Sequence, residues 1–272
     1  MHDQTLETWG QLTAKLDFLY DERSRRQADG TYVSSLLFRG QGDSAWKLET
    51  TLDRTISQPV SLSNYYRIIR GIQPKVETLS GGKWETPTVS AYAEWAKTAL
   101  TPLAMKDIPA IPYIAYLRHH GFPSPLLDWT RSPYVAVFFA FRHLVKGATH
   151  ASIYAYLEWA KGHKSATSVF PAIRGISSGY AVHPRHFMQQ SEYTMCTIHR
   201  SDGVYYASHQ SVFDRNDDQQ DLLWKFNIPL SERQNVLENL SRMNINAFSL
   251  FGTEDSLLEE LATTEFLLGR KT

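Results

Sequence analysis

The 272 residues contain one cysteine, Cys196. A lone thiol excludes an internal disulfide and any multi-cysteine zinc site. Long apolar runs are also missing, since none approaches the ~20 residues of a membrane span. Charge of one sign is missing as well. The 28 basic and 28 acidic side chains cancel, so no global field draws the chain to nucleic acid or to an anionic membrane. There is no Walker-type loop, no Gly-x-Gly-x-x-Gly after a strand and no serine nucleophile elbow. ATPase, dehydrogenase and ordinary hydrolase readings therefore fall away. The start, Met1-His2-Asp3-Gln4, lacks the basic and apolar regions of a signal peptide. The expected setting is the cytoplasm, with no membrane contact.

What is present suits a folded domain. Hydrophobic residues make up 42% and aromatics 12% of the chain, enough for a sizeable core. Leu6, Trp9, Leu12, Leu16 and Leu19 have helical spacing, so residues 1–30 are expected to form an N-terminal helical extension. Residues 31–272 form the main domain. In it, Tyr32 to Arg39 suits a strand that delivers Arg39 to its end, and Asn64 to Ile72 a short helix. Residues 73–88 mix Pro, Gly, Lys and Glu without period, as in an exposed loop. Val89 to Leu103 and Ile111 to Arg118 read as helices. Ser152 to Tyr156, Glu192 to Ile198 and Leu222 to Ile228 read as strands, and Val169 to Tyr180 as irregular. The acidic stretch Asp214, Asp217, Asp218 and Asp221 reads as a solvated loop rather than a nuclease metal site. Helices from Ser231 and Ser256 close the chain. The mixed order favours α+β, with a small twisted mixed sheet and surrounding helices.

The most informative stretch runs from His119 to Pro133. It places a polar cluster between two apolar elements, Ile111 to Leu117 and Tyr134 to Phe141. Gly121, Pro123 and Pro125 fix the path of the chain. Ser132 is placed to cap a helix that Pro133 opens, and that helix is apolar almost all round, as a central buried helix is. Its N-terminus sits beside Asp128, Thr130 and Ser132, where a phosphate or ribose fits; a capped core helix with a buried Asp fits equally.

Phe38-Arg39-Gly40-Gln41, followed by Trp46, Leu48, Leu52 and Arg54, resembles the motif that names the FRG domain family. His119-x-Gly121-x-Pro123-x-x-Leu126-Leu127-Asp128-Trp129-Thr130-x-Ser132-Pro133 is similar to its second motif. Arg185-His186-Phe187-Met188-Gln189, with Tyr193 where a Phe is usual, resembles a third. Ile228-Pro229, Leu237, Leu240, Ile245 and Phe251 follow the closing pattern, so the resemblance spans roughly residues 33 to 268. Ser124 and Pro125 replace the usual Thr-Arg pair, and Ser191-Glu192 stands where a Gly is commoner.

In outline these motifs are similar to the ADP-ribosyltransferase layout, which implies a core of that kind. Arg39 would meet the dinucleotide, with Gly40 letting the ligand approach the backbone. His119, Thr130, Ser132 and Gln189 would join Arg39 and Gly40 in holding NAD. Arg39, Thr130, Asp128 and Gln189 would do the catalysis, moving ADP-ribose from NAD to a macromolecular acceptor, protein or nucleic acid. A bacterial toxin or phage-defence effector would use such chemistry. The alternatives are a non-catalytic nucleotide-binding module and an interaction protein whose motifs only maintain the fold.

Each position also has a plainer role. Arg39 also suits a structural ion pair with Asp128. His119 suits a core or capping histidine, or a proton shuttle. Trp46 and Trp129 suit the core as well as ring stacking. Gln189 and Gln190, read as strand neighbours, face opposite ways, so one alone meets a pocket. Pro184 breaks the helix that would make His183 and His186 metal ligands, and no metal is expected.

Overall fold

The computed structural model describes residues 1–98, 108–166, 170–176 and 184–269. Its strands are β1 (His2–Thr5), β2 (Leu37–Gln41), β3 (Leu126–Thr130), β4 (His150–Trp159), β5 (Ala172–Ile176), β6 (Ser191–Arg200), β7 (Gly203–Tyr206) and β8 (Gln220–Pro229). The helices are α1 (Trp9–Arg26), α2 (Thr51–Thr55), α3 (Leu62–Ser80), α4 (Val89–Thr98), α5 (Ile111–His119), α6 (Pro133–Phe141), α7 (Pro184–Met188), α8 (Gln210–Phe213), α9 (Arg233–Arg242), α10 (Ala247–Phe251) and α11 (Glu254–Ala262). The class is mixed α and β, as expected. The sheet is larger than the small one expected, with eight strands in the order β1-β8-β4-β2-β3-β6-β5 and β7 paired to β6.

Alternation along β4 explains how the layers form. Ala151, Ile153, Ala155 and Leu157 face a core shared with α1, α6, α9 and α10. Tyr154 and Tyr156 face a second core with Trp129, Ile173, Cys196 and Phe213. A strand covered on both faces must be apolar on both. A third cluster packs α3, α4 and α5 against β6 and β7.

The helix α6 lies directly on β2. Ser132 caps it by accepting from the Val135 amide at 3.3 Å, and Pro133 opens it. A side chain at Gly40 would place Cβ 1.8 Å from the Ala136 carbonyl oxygen. Only a glycine allows so close an approach. The space that a side chain at Gly40 would take is therefore filled by α6.

Several expectations change. The residues 1–30 also hold β1, which pairs parallel to β8, while Leu12, Leu16 and Leu19 of α1 enter the core that contains α6. The expected 32–39 strand is Leu37–Gln41, so Arg39 lies mid-strand. The loop expected from residue 73 is helical to Ser80, with Pro74 inside α3. Buried Gln73 then ties back the following segment, donating to the Trp84 carbonyl at 2.9 Å and accepting from Thr86 at 2.7 Å. The Val89 helix runs to Thr98, and its expected continuation lies outside the described residues. Part of the stretch read as irregular is β5. Asp221 is buried at the start of β8, not solvated. Gln189 and Gln190 form a turn after α7, with Gln190 at φ 48°, so strand alternation does not apply to them.

Candidate functional site

The strand β2 pairs with β4 at all five positions but with β3 only at Phe38↔Thr130. The strand β3 is meanwhile held along its whole length by β6. Two neighbours that share one rung diverge, and the gap opens into a cleft of about 450 Å³. Small-molecule sites commonly have this volume.

Four arginines from four places reach the cleft: Arg39 of β2, Arg54 of α2, Arg118 of α5 and Arg185 of α7. Asp128 is the one carboxylate among the described residues that line it. Arg118 forms a short ion pair with the Asp128 carboxylate. Arg39 instead donates from Nη1 to the Asp128 main-chain oxygen at 2.7 Å and stands 4.0 Å from the carboxylate. The predicted Arg39–Asp128 pair is thus secondary to one that the sequence did not disclose. Burial lowers the pKa of Arg39 from its ordinary value, with Asp128 opposing the shift, yet a guanidinium keeps its charge. The Nε groups of Arg39 and Arg118 are buried without hydrogen-bond partners among the described residues. Two cations with donors to spare, beside a single neutralised acid, favour an anion.

Aromatic rings complete the walls. Trp46 and Trp129 both line the cleft, but Trp46 is 48% exposed whereas Trp129 is buried and donates to Thr194 at 2.8 Å. Of the two tryptophans, Trp46 is the one free to stack on a ligand. Phe251 of α10 also lines the cleft, with the Arg185 guanidinium 5.3 Å and that of Arg142 4.1 Å from its ring centre.

The expected site residues divide into two sets. Arg39, Gly40, His119, Asp128, Thr130 and Gln189 all line the cleft. Ser132 is not among the lining residues, and its hydroxyl is spent on the α6 cap. The Thr130 hydroxyl donates to the Gln189 carbonyl at 2.7 Å and accepts from the Ser132 amide at 3.1 Å. It therefore braces the wall instead of facing a ribose. Gln189 donates its amide to the Leu250 carbonyl at 3.0 Å, leaving the amide oxygen as the acceptor not used in that bond. Glu192 is 3.5 Å from Arg131 and does not line the cleft. His119 Nε2 lies 2.8 Å from the Tyr193 hydroxyl.

Sequence reading missed Arg118, Arg185, Phe251 and Tyr193 as members of the site. A signal existed for Arg118, because an aspartate among apolar residues requires a cation nearby. Among the described residues no group of three or more His, Cys, Asp or Glu is placed to hold a metal ion. No helix among them is long and apolar enough to cross a membrane.

The fold and site define an α+β protein with a cationic, aromatic-walled cleft where two sheet strands part. The family model of the FRG domain matches residues 34–148. That stretch carries Arg39, Arg54, Arg118, His119, Asp128 and Thr130; Arg185, Gln189, Tyr193 and Phe251 lie beyond it. No curated protein and no solved structure matches the chain.

Proposed function

We propose that the cleft binds NAD and that the protein is an ADP-ribosyltransferase-like enzyme acting on a macromolecular acceptor. The observation that carries this reading is the convergence of four arginines and exposed aromatic surface in one 450 Å³ cleft. A dinucleotide diphosphate offers the matching features, since its phosphates suit guanidinium forks and its bases suit Trp46 and Phe251.

In the reaction the C1′–nitrogen bond of the nicotinamide ribose breaks, and its electron pair stays on the ring nitrogen. Neutral nicotinamide leaves, and an acceptor oxygen or nitrogen bonds to C1′ and gives up its proton. The arginines hold the diphosphate, fixing the ribose for attack. The Gln189 oxygen accepts from a ribose hydroxyl. Asp128 lies across the cleft as the carboxylate facing the developing positive charge. Transfer of so large and anionic a group would disable a macromolecule, as a toxin or phage-defence effector requires. A cytoplasmic setting supplies the NAD.

A second reading is a nucleotide-binding module without turnover. It is favoured by the ion pair between Arg118 and Asp128, which reduces the charge available to a cationic transition state, and by the neutrality of Gln189. Nicotinamide release by the purified protein, with and without cell extract, separates the two. Release that Arg39→Ala and Gln189→Ala both abolish with folding intact supports the enzyme. Saturable NAD binding lost in Arg39→Ala, with no release, supports the binding module. Neither signal would return the cleft to a structural role.

A further inference from the structure

Tyr193 was not among the expected site residues, yet it lines the cleft between two histidines. It lies on β6 directly opposite Asp128 of β3. Its hydroxyl oxygen is 2.8 Å from His119 Nε2 and 3.4 Å from His186 Nδ1. A phenol has one proton to donate. Both contacts cannot therefore be donated by Tyr193, and one ring must donate to it.

The surroundings indicate which one. His186 is buried, and burial lowers its pKa, with Arg131 adding to the effect and Asp128 opposing it. It is neutral near pH 7, with one ring N–H. Its Nε2 has no partner among the described residues, so that proton belongs on Nδ1, where it meets the phenol oxygen. The phenol proton is then left for His119 Nε2. The other charged groups facing Tyr193 are Asp128 and Arg118, with Glu192 beside it on its own strand. Burial first and Asp128 second raise the Tyr193 pKa, so the group remains a phenol at neutral pH.

We propose that Tyr193 is the proton relay of the cleft, taking the proton of the attacking acceptor as it passes its own to His119 Nε2. The proposal rests on the ADP-ribosyl transfer reading above. As the acceptor bonds to C1′ and nicotinamide leaves with the C1′–nitrogen electron pair, the acceptor's proton moves to the phenol oxygen. The phenol O–H bond breaks at the same time, and the proton lost forms His119 imidazolium. Asp128, paired with Arg118, lies opposite Tyr193 across the β3–β6 ladder. Solvent later removes the proton from His119. No phenolate forms, so the raised pKa of Tyr193 is no obstacle.

Tyr193→Phe keeps the ring and removes the relay oxygen, and His119→Gln keeps a hydrogen bond but cannot take a proton. Both are tested on the full chain for NAD affinity, by calorimetry, and for nicotinamide release between pH 5 and 9. The wild type should lose activity toward acid pH, because a protonated His119 cannot take the phenol proton. Each variant should lose about 10²-fold in kcat and lack that acid limb, and Tyr193→Phe should keep its NAD affinity within about twofold. A Tyr193→Phe protein with wild-type kcat, or with the same acid limb, overturns the relay and leaves the transfer reading standing. A fall in kcat matched by an equal loss of NAD affinity also overturns it, because the phenol would then only shape the wall. A wild-type protein that binds NAD without releasing nicotinamide ends the transfer reading, and the relay with it.

Discussion

Two clusters pair a cation with an aspartate, and they use their hydrogen-bond donors in opposite ways. On the sheet face away from α6, Lys164 is fully buried and its ammonium makes three contacts. It donates to Asp221 at 2.5 Å, to the Ile173 carbonyl at 2.7 Å and to Glu158 at 3.1 Å. Three donors meet three acceptors, so nothing remains for a ligand. In the cleft, Arg39 and Arg118 sit beside Asp128 with buried Nε groups unpartnered among the described residues. The bare presence of an ion pair does not separate scaffold from site. The donor count does, because a buried polar group without a partner costs free energy that a ligand would recover.

Breaking the scaffold cluster should produce the largest effect. Lys164→Met leaves Asp221 and Glu158 facing each other in the interior, while Tyr156 still donates to Asp221 at 2.5 Å. Removing one partner of a buried pair costs about 3–5 kcal/mol. Urea unfolding should show that loss, and a change under about 1 kcal/mol would place Lys164 in effect at the surface. The same substitution should spare NAD affinity once the protein is folded, which is how scaffold and site would be told apart.

Gly40→Ala tests the seam between the two regions. The new methyl would stand 1.8 Å from the Ala136 oxygen and 2.8 Å from the Ala140 nitrogen, both backbone atoms that cannot rotate away. The helix α6 must move, at about 1–3 kcal/mol or more, and it would carry the cleft residues Ala136 and Phe139 with it. Stability and ligand affinity should therefore fall together, unlike the outcome for Lys164→Met. Unchanged affinity in a destabilised Gly40→Ala protein would mean that α6 does not shape the cleft.

The next effect depends on pH. His209 is buried, with Nε2 3.0 Å from the Thr194 hydroxyl and Nδ1 without a partner among the described residues. Burial, and then the charge of Arg39, push its pKa down to about 3 from an ordinary 6.5. The unfolded chain binds a proton below pH 6.5 that the folded protein refuses until about pH 3. Stability from this group is therefore complete at neutral pH and falls as pH drops through that window. Between pH 7 and 5 the loss is about 2 kcal/mol. Unfolding at the two pH values should show His209→Gln losing less than the wild type by about that amount. Equal losses would mean that His209 titrates normally.

Legibility in the sequence followed the range of the interactions. The Ser132 cap, the Pro133 start and the burial of α6 were readable because each depends on neighbours a few residues away. The presence of Arg39, Thr130 and Gln189 at one cleft came through motif resemblance, not through any local rule. Arg185 and Phe251 stood within the motifs, and Arg118 was signalled only by the need of Asp128 for a cation. No local pattern assigned any of the three to the cleft, where the β2-β3-β6 order and the return of α10 bring them together. Pro74 misled for the opposite reason. It marks a break by local rule, yet Gln73 and the packing of Tyr65, Tyr66 and Ile69 keep α3 helical through it.

The smallest effect decides how the hydroxyls beside the cleft are assigned. Ser132 was expected to hold NAD, but its oxygen caps α6 at the Val135 amide and it does not line the cleft. Ser132→Ala removes one cap bond and should cost about 1 kcal/mol of stability, with NAD affinity unchanged. Thr130→Val would differ, since that hydroxyl joins the Gln189 carbonyl to the Ser132 amide across the β3–α6 junction. It should loosen the turn that presents Gln189 and weaken binding several-fold. If Ser132→Ala weakens NAD binding as much as Thr130→Val does, the cap also serves the ligand. The cleft must then extend along α6 beyond the residues that form it here.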